Sequence, residues 1–166
     1  ERKYPKISFV EDRFHNDSVA IKSLFFTDSE DKAVNRLYVD KTYRTHIVIE
    51  CMKDAQNLIV GFVLENNKGL PLFDINNFIN QGEVVNGKQN DIIEIVYEYT
   101  LPRIMNGVYL VGAAIGQGTQ SKHEMLTWLH GIMELEVVNQ GYNSSYIEIP
   151  SKIRAFSNQK EKVLFL

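Results

Sequence analysis

Residues 91–115 read DIIEIVYEYT, LPRIMNG and VYLVGAAI, two apolar runs of strand length on either side of a turn. Ile, Val and Tyr favour strands, whereas Pro and Gly end them. The second run begins with Gly107-Val-Tyr, which is typical of a corner tyrosine whose hydroxyl binds a nearby loop, since a buried tyrosine needs such a partner. The stretch therefore predicts two strands, 91–100 and 108–115, with Tyr109 capping the turn between them.

Short alternating runs continue outward from this stretch in both directions. In 43–51, Tyr43, Thr45, Ile47, Ile49 and Cys51 share one face of the predicted strand, and Arg44, His46, Val48 and Glu50 share the other. Further runs lie at 19–26, 58–65, 70–75, 131–138 and 146–149. A single short helix is predicted at 121–129. About eight or nine strands at spacings near ~8–12 residues are typical of an all-β sandwich.

The alternation also predicts which side chains form the core, because each sheet of a sandwich buries one face. We expect the core to contain Ile47, Ile49, Val60, Phe62, Leu64, Ile93, Ile95, Tyr109, Val111, Ala113, Leu135 and Val137.

The length of 166 residues fits one domain, 1–166, with a body at about 14–150 and a polar tail at 151–166. The net charge of −3, with 18 basic and 21 acidic residues interspersed, argues against a nucleic-acid partner.

The single cysteine, Cys51, excludes a disulfide within the chain and favours a reducing compartment. No run approaches the ~20 apolar residues of a membrane span. Because the chain begins at Glu1, we expect it to be a piece of a longer protein.

No pattern of catalytic or metal-binding residues stands out. The sequence lacks a P-loop, G-x-S-x-G, H-E-x-x-H and C-x-x-C, and Gly112-Ala-Ala-Ile-Gly lacks the ending of a phosphate loop. His15, His46, His123 and His130 do not follow a standard ligand spacing. Glu94 and Glu98 could form a carboxylate pair, but solvated strand residues are the better interpretation of both. We expect no catalytic residues, no metal and no cofactor.

Aromatic and amide side chains are abundant, with eight tyrosines and one tryptophan. Sugar sites pair aromatic platforms with planar polar groups, as small-ligand pockets generally combine an apolar wall with a few fixed polar groups. Candidate sugar-binding residues are Tyr43, Arg44, His46, Tyr97, Tyr99 and Trp128. Strand tyrosines also serve commonly as packing residues. In one hypothesis, Arg44 and His46 lie beside Tyr97 or Trp128 and form an aromatic shelf with a cationic edge for an anionic glycan end.

An ordered set of segments carries a family resemblance. The segments are VGFVLENNKG (60–69), LFDINN (72–77), IEI (93–95), LP (101–102), GVYLVGAAI (107–115), HEMLTWLH (123–130) and LEV (135–137). From about Phe14 to Pro150 the chain resembles the C-terminal carbohydrate-binding domain of the ATP-binding subunit of bacterial O-antigen ABC transporters, the Wzt family.

The resemblance implies an immunoglobulin-like, jelly-roll type of sandwich that binds the modified non-reducing end of an undecaprenyl-linked O-antigen polysaccharide and couples chain completion to export. It also implies an ATP-hydrolysing domain in the parent subunit, a transmembrane permease partner, and a cytoplasmic position at the inner face of the bacterial inner membrane. The family forms homodimers, in some members by strand exchange. The exchanged strand here would be Tyr146-Ile-Glu-Ile, Tyr146, Ile147, Glu148 and Ile149, after the hinge-like connector 139–145.

Two other classes of function stay open from the residues alone. One is a β-sandwich enzyme that processes polysaccharide, although no set of nucleophile, base and orienting residue is recognisable. The other is a structural or dimerisation module.

Overall fold

The computed structural model of the chain describes residues 3–6, 16–141, 144–156 and 161–165. The described residues form strands and no helix, which confirms the predicted all-β class. The strands are β1 (Val19–Asp28), β2 (Ala33–Val34), β3 (Arg36–Tyr38), β4 (Thr42–Cys51), β5 (Ala55–Glu65), β6 (Pro71–Asn76), β7 (Val85–Gly87), β8 (Ile92–Thr100), β9 (Gly107–Thr119), β10 (Lys122–Val138), β11 (Lys152–Phe156) and β12 (Glu161–Phe165).

Two sheets form the sandwich. The four-stranded sheet has the order β2-β1-β4-β8, and the six-stranded sheet has the order β3-β10-β9-β5-β6, with β7 also paired to β5. All the pairs are antiparallel except β3 with β10, which is parallel. Strands β11 and β12 pair only with each other. The runs around the 101–107 turn therefore lie in different sheets, β8 in the four-stranded one and β9 in the six-stranded one.

The core lies between the two sheets. Ten of the twelve predicted core residues are buried, and Ile93 and Ile95 are partly buried against them. The predicted capping role of Tyr109 is also confirmed, because its hydroxyl donates a hydrogen bond to the carbonyl of Met105 in the turn before β9.

The helix predicted at 121–129 is wrong. These residues belong to the first half of β10, which pairs with β9 from Lys122 onward. A register shift between Met125 and Thr127 inserts Leu126, and a second shift follows Leu129. The two shifts interrupt strict alternation, so Leu126 and Leu129 are both buried three positions apart. Such bulges give a strand the apolar spacing of a helix.

The prediction of a strand at 146–149 is also wrong. The segment makes a single bridge, Ile147 to Ile104, flanked by two backbone hydrogen bonds. The facing chain turns back at Pro102, whose carbonyl accepts from the Ile104 N–H, so the ladder cannot extend. The tail after Pro150, predicted to be polar until the apolar run that begins at Val163, contains the β11–β12 hairpin. His15, the start of the predicted body at Phe14, and residues 142 and 143 of the predicted hinge lie outside the described residues.

Candidate functional site

The outer face of the six-stranded sheet carries a trough across its middle strands. Core-facing and outward-facing residues alternate along β5 and β9, which leaves Gly61 and Ala114 pointing outward. Cross-strand pairing aligns Trp128 with Ala114, Ala114 with Gly61, and Gly61 with Asn76. One row therefore runs from an indole on β10, over two small residues, to an amide on β6.

The small residues form the floor of the trough. Gly61 approaches β6 so closely that a Cβ atom there would lie 2.5 Å from the carbonyl oxygen of Ile75 and 2.6 Å from Cβ of Asn76. Gly116 continues the floor on β9. The resulting cavity has a volume of about 440 Å³, within the ~300–1,000 Å³ range of small-ligand sites. The missing side chain at Gly61 thus lets β6 pack close to β5, and the cavity lies over this part of the sheet.

The β10 wall is aromatic. Trp128 stacks on His130, with ring centroids 5.1 Å apart and an angle of 19° between the planes. Nearer the β9–β10 turn, Nδ1 of His123 lies 3.1 Å from the carbonyl oxygens of Thr119 and Gln120, so this nitrogen carries the proton and donates it. The turn thereby holds a second ring along the same wall.

The β6 wall is polar and acidic. Asp74 is exposed, and Asn76 is fixed because its Oδ1 accepts hydrogen bonds from the N–H groups of Phe78 (3.0 Å) and Ile79 (2.8 Å). Glu65 lies at one end of the trough with its carboxylate 3.9 Å from Nδ1 of His130. Within the part of the chain that the structure describes, neither lysine nor arginine lines the trough.

The outer face of the four-stranded sheet is built differently, because its polar groups are paired with one another. Arg44 donates to Glu98 at 2.7 Å and to Asp31 at 2.6 Å, and these hydrogen bonds raise its pKa. His46 is 5% exposed, with Nδ1 at 2.8 Å from Glu94 and Nε2 at 2.9 Å from the Thr27 hydroxyl.

This second face is also covered. The ring of Phe25 stacks on His46 at 4.5 Å. Residues 3–6 lie over it: the hydroxyl of Tyr4 donates to Glu94 at 3.2 Å, and the hydroxyl of Ser23 donates to the carbonyl of Pro5 at 2.5 Å. The chain's own N-terminal segment therefore occupies the position where a ligand would have to bind.

The three candidate tyrosines face the core. The hydroxyl of Tyr43 accepts from the N–H of Tyr38 at 2.8 Å, Tyr97 donates to the carbonyl of Val60, and Tyr99 lies 2.9 Å from the hydroxyl of Thr45. Burial raises the pKa of Tyr97, and burial raises the pKa of Tyr99 to about 12. The hydroxyls of Tyr43 and Tyr97 therefore bond to strands of the six-stranded sheet, and that of Tyr99 bonds within the four-stranded sheet.

The predicted shelf is therefore not assembled. Tyr97 pairs with Thr45, so it projects from the face opposite that of Arg44 and His46. Trp128 lies in the other sheet. Of the six candidates only Trp128 lines the trough; the floor and the β6 wall were missed. The available signal was the alternation of small residues in 112–116, which places Gly112, Ala114 and Gly116 on one face.

Fold and trough together define an all-β binding domain. The chain belongs to the Wzt C-terminal domain family, whose sequence pattern matches residues 10–148. The crystal structure of the C-terminal domain of Wzt superposes with a TM-score of 0.79 at 15% identity, over 92% of this chain and 93% of that one. Membership is consistent with a carbohydrate-binding, non-catalytic role in O-antigen ABC transporters.

A more distant structural relative is a Niemann-Pick type C2 protein from the Japanese carpenter ant. Its TM-score is 0.54 at 9% identity, over 79% of this chain and 100% of that chain, so it shares the fold. The comparison with curated proteins found no match to this chain.

Two negative findings complete the description of the site. Among the described residues, no helix is long and apolar enough to cross a membrane. The same residues contain no group of three or more His, Cys, Asp or Glu that could hold a metal ion.

Proposed function

We propose that the trough binds the modified non-reducing end of a lipid-linked O-antigen polysaccharide, and that this binding couples completion of the chain to its export. The observation that carries the proposal is the row Trp128–Ala114–Gly61–Asn76 across the open face of the six-stranded sheet. The row combines an aromatic platform, a floor without bulky side chains and an amide, in a domain of the Wzt family.

The geometry suits the chemistry of a sugar. A pyranose has an apolar C–H face that can stack on the indole of Trp128, and hydroxyls around its rim that can bond to Asp74 and Asn76. The floor at Gly61 lets the ring lie against the sheet. A cavity of about 440 Å³ accommodates the last sugars of a chain and not an extended stretch of it.

Calorimetric titration with the polysaccharide of the source organism, both with its native end and with that end trimmed, tests this assignment. We expect the native end to bind the wild-type chain, and Trp128→Ala to weaken the binding by about tenfold or more, because the stacked ring is lost. Trp128→Phe should recover part of the affinity. Tyr38→Ala removes an aromatic residue that is 42% exposed on β3, outside the trough, and serves as the matched control. Equal affinities in Trp128→Ala and the wild type would refute the proposal.

The wider assembly is part of the same proposal. The domain would act as a homodimer, in a subunit whose ATP-hydrolysing part contacts a membrane permease at the inner face of the inner membrane. Exchange of residues 146–149 between protomers is supported by their limited strand pairing, since the segment has one bridge and Ile149 is 78% exposed, while Tyr146 and Glu148 keep side-chain contacts with Asn66 and Arg103. Sedimentation of the chain with and without residues 146–166 measures this directly. A dimer that survives the truncation would argue against exchange.

A further inference from the structure

The lining of the trough is acidic. Asp74 and Glu65 supply two carboxylates to its lining, and the remaining polar contributors that line it are amides and the imidazole of His123. None of the described lysines or arginines belongs to the lining. An anionic ligand would therefore meet like charges and no permanent cation.

The arginine suggested from the sequence as a cationic edge, Arg44, lies on the four-stranded sheet. Arg44 is already held by two carboxylates, those of Glu98 and Asp31, and its face is covered by residues 3–6. Terminal phosphate or carboxylate is normally recognised by charge-assisted, often bidentate, bonds from arginine or by lysine. Among the described residues, neither lysine nor arginine lines the trough beside Trp128.

We infer that the trough selects a glycan end that carries no negative charge and excludes ends that terminate in phosphate or carboxylate. The inference rests on the proposed function, because it specifies which class of end that site accepts. It differs from the hypothesis of an anionic end, which rested on Arg44 and His46 lying beside an aromatic residue. Two carboxylates facing a phosphate in a partly enclosed site should weaken its binding by about tenfold relative to an uncharged counterpart.

The single tryptophan of the chain makes the local field measurable without a ligand. Quenching of Trp128 fluorescence by caesium, iodide and neutral acrylamide reports whether cations or anions reach the indole more readily. All measurements are made at one pH, so that the charge of the protein is the same in each of them. We expect the caesium-to-iodide quenching ratio to exceed that of free N-acetyltryptophanamide at the same ionic strength.

Charge-neutralising variants supply the control. Asp74→Asn should lower the caesium-to-iodide ratio, since it removes an exposed carboxylate from the trough wall. Glu30→Gln removes the same charge from an exposed position in the β1–β2 turn, in the other sheet, and should leave the ratio unchanged. The inference is overturned if the caesium-to-iodide ratio of the wild type is at or below that of free N-acetyltryptophanamide, or if Asp74→Asn leaves the ratio unchanged.

Salt dependence completes the test with the natural glycan. An uncharged end should bind with a dissociation constant that changes less than about twofold between 50 and 500 mM NaCl, because there is no ion pair to screen. A steep loss of affinity with salt identifies an anionic end and overturns the inference. The proposed function is refuted by a different result, an unchanged glycan affinity in Trp128→Ala. The quenching result does not depend on that outcome.

Discussion

The two outer faces of this sandwich have opposite designs. On the four-stranded sheet, large and charged side chains pair with one another: Arg44 with Glu98, and His46 with Glu94. The N-terminal segment then covers them through Tyr4 and Pro5. On the six-stranded sheet, the outward positions at Gly61, Ala114 and Gly116 lack bulky side chains, and Trp128 and Asn76 lie at the two ends of that row.

The difference shows how one fold separates scaffold from site. A sheet face whose polar groups satisfy each other contributes stability and has little left for a ligand. A face with missing side chains leaves room at the backbone, which a ligand can fill. In the proposed site, the small residues at Gly61 and Ala114 matter as much as the presence of Trp128.

The largest expected effect comes from filling the floor of the trough. In Gly61→Ala the new methyl would lie 2.5 Å from the Ile75 carbonyl oxygen, so β6 must shift. We expect a loss of about 1–3 kcal/mol in the free energy of unfolding, the usual cost of overpacking, measured by urea denaturation.

Gly116→Ala provides the matched comparison on the same floor. Its nearest neighbours would be Cδ2 of His123 at 3.3 Å and the carbonyl oxygen of Glu124 at 3.4 Å, so a small adjustment of the exposed His123 ring accommodates the methyl. This variant should stay within about 0.5 kcal/mol of the wild type. Equal losses in the two variants would mean that the close approach of β6 to Gly61 does not limit the floor.

The fold was largely predictable because period-two alternation is a local property. Ile47 and Ile49, or Val111 and Ala113, report their burial through their immediate neighbours. The prediction failed where pairing with another strand decides the outcome. The bulges around Leu126 gave β10 a helical spacing, and the turn at Pro102 deprived 146–149 of a partner.

The site was less predictable because it depends on which strands are neighbours. Trp128 could be selected from the chemistry of its indole alone, without knowledge of the sheet order. That Gly61 lies between Ala114 and Asn76 follows only from the order β9-β5-β6. The tyrosines could not be placed from sequence because the chemistry of a phenol is the same in a core as in a sugar site, and only the pairing of Tyr97 with Thr45 reveals its side.

A smaller effect is expected from the tyrosines between the sheets. Tyr97→Phe removes the hydrogen bond to the Val60 carbonyl, and should cost about 0.5–1.5 kcal/mol. Glycan affinity should not change, since this residue lies in the core and not in the trough. Tyr38→Phe, an exposed tyrosine, is the control for the unfolding measurement.

The same tyrosines predict loss of stability in alkali. Burial raises the folded-state pKa of Tyr99 from 10.0 to about 12, and that of Tyr97 is also raised. Between about pH 10 and 12 the unfolded chain has released these protons while the folded chain keeps them, so the free energy of unfolding falls as pH rises. Urea denaturation from pH 8 to 11 should show this decline. A slope that is no shallower in Tyr97→Phe than in the wild type would contradict it.

The smallest effect is expected from a change at Arg44, which lies on the paired and covered face of the four-stranded sheet. Arg44→Ala breaks its two ion pairs, but both partners are well exposed, with side-chain exposures of 74% for Asp31 and 56% for Glu98. Exposed ion pairs contribute little to stability, so we expect only a slight shift of the urea midpoint. Calorimetric titration should give an unchanged glycan affinity, because the aromatic platform is in the other sheet. If Arg44→Ala weakened glycan binding as strongly as Trp128→Ala, the covered face would have to open to admit the glycan, and the assignment of scaffold and site would be reversed.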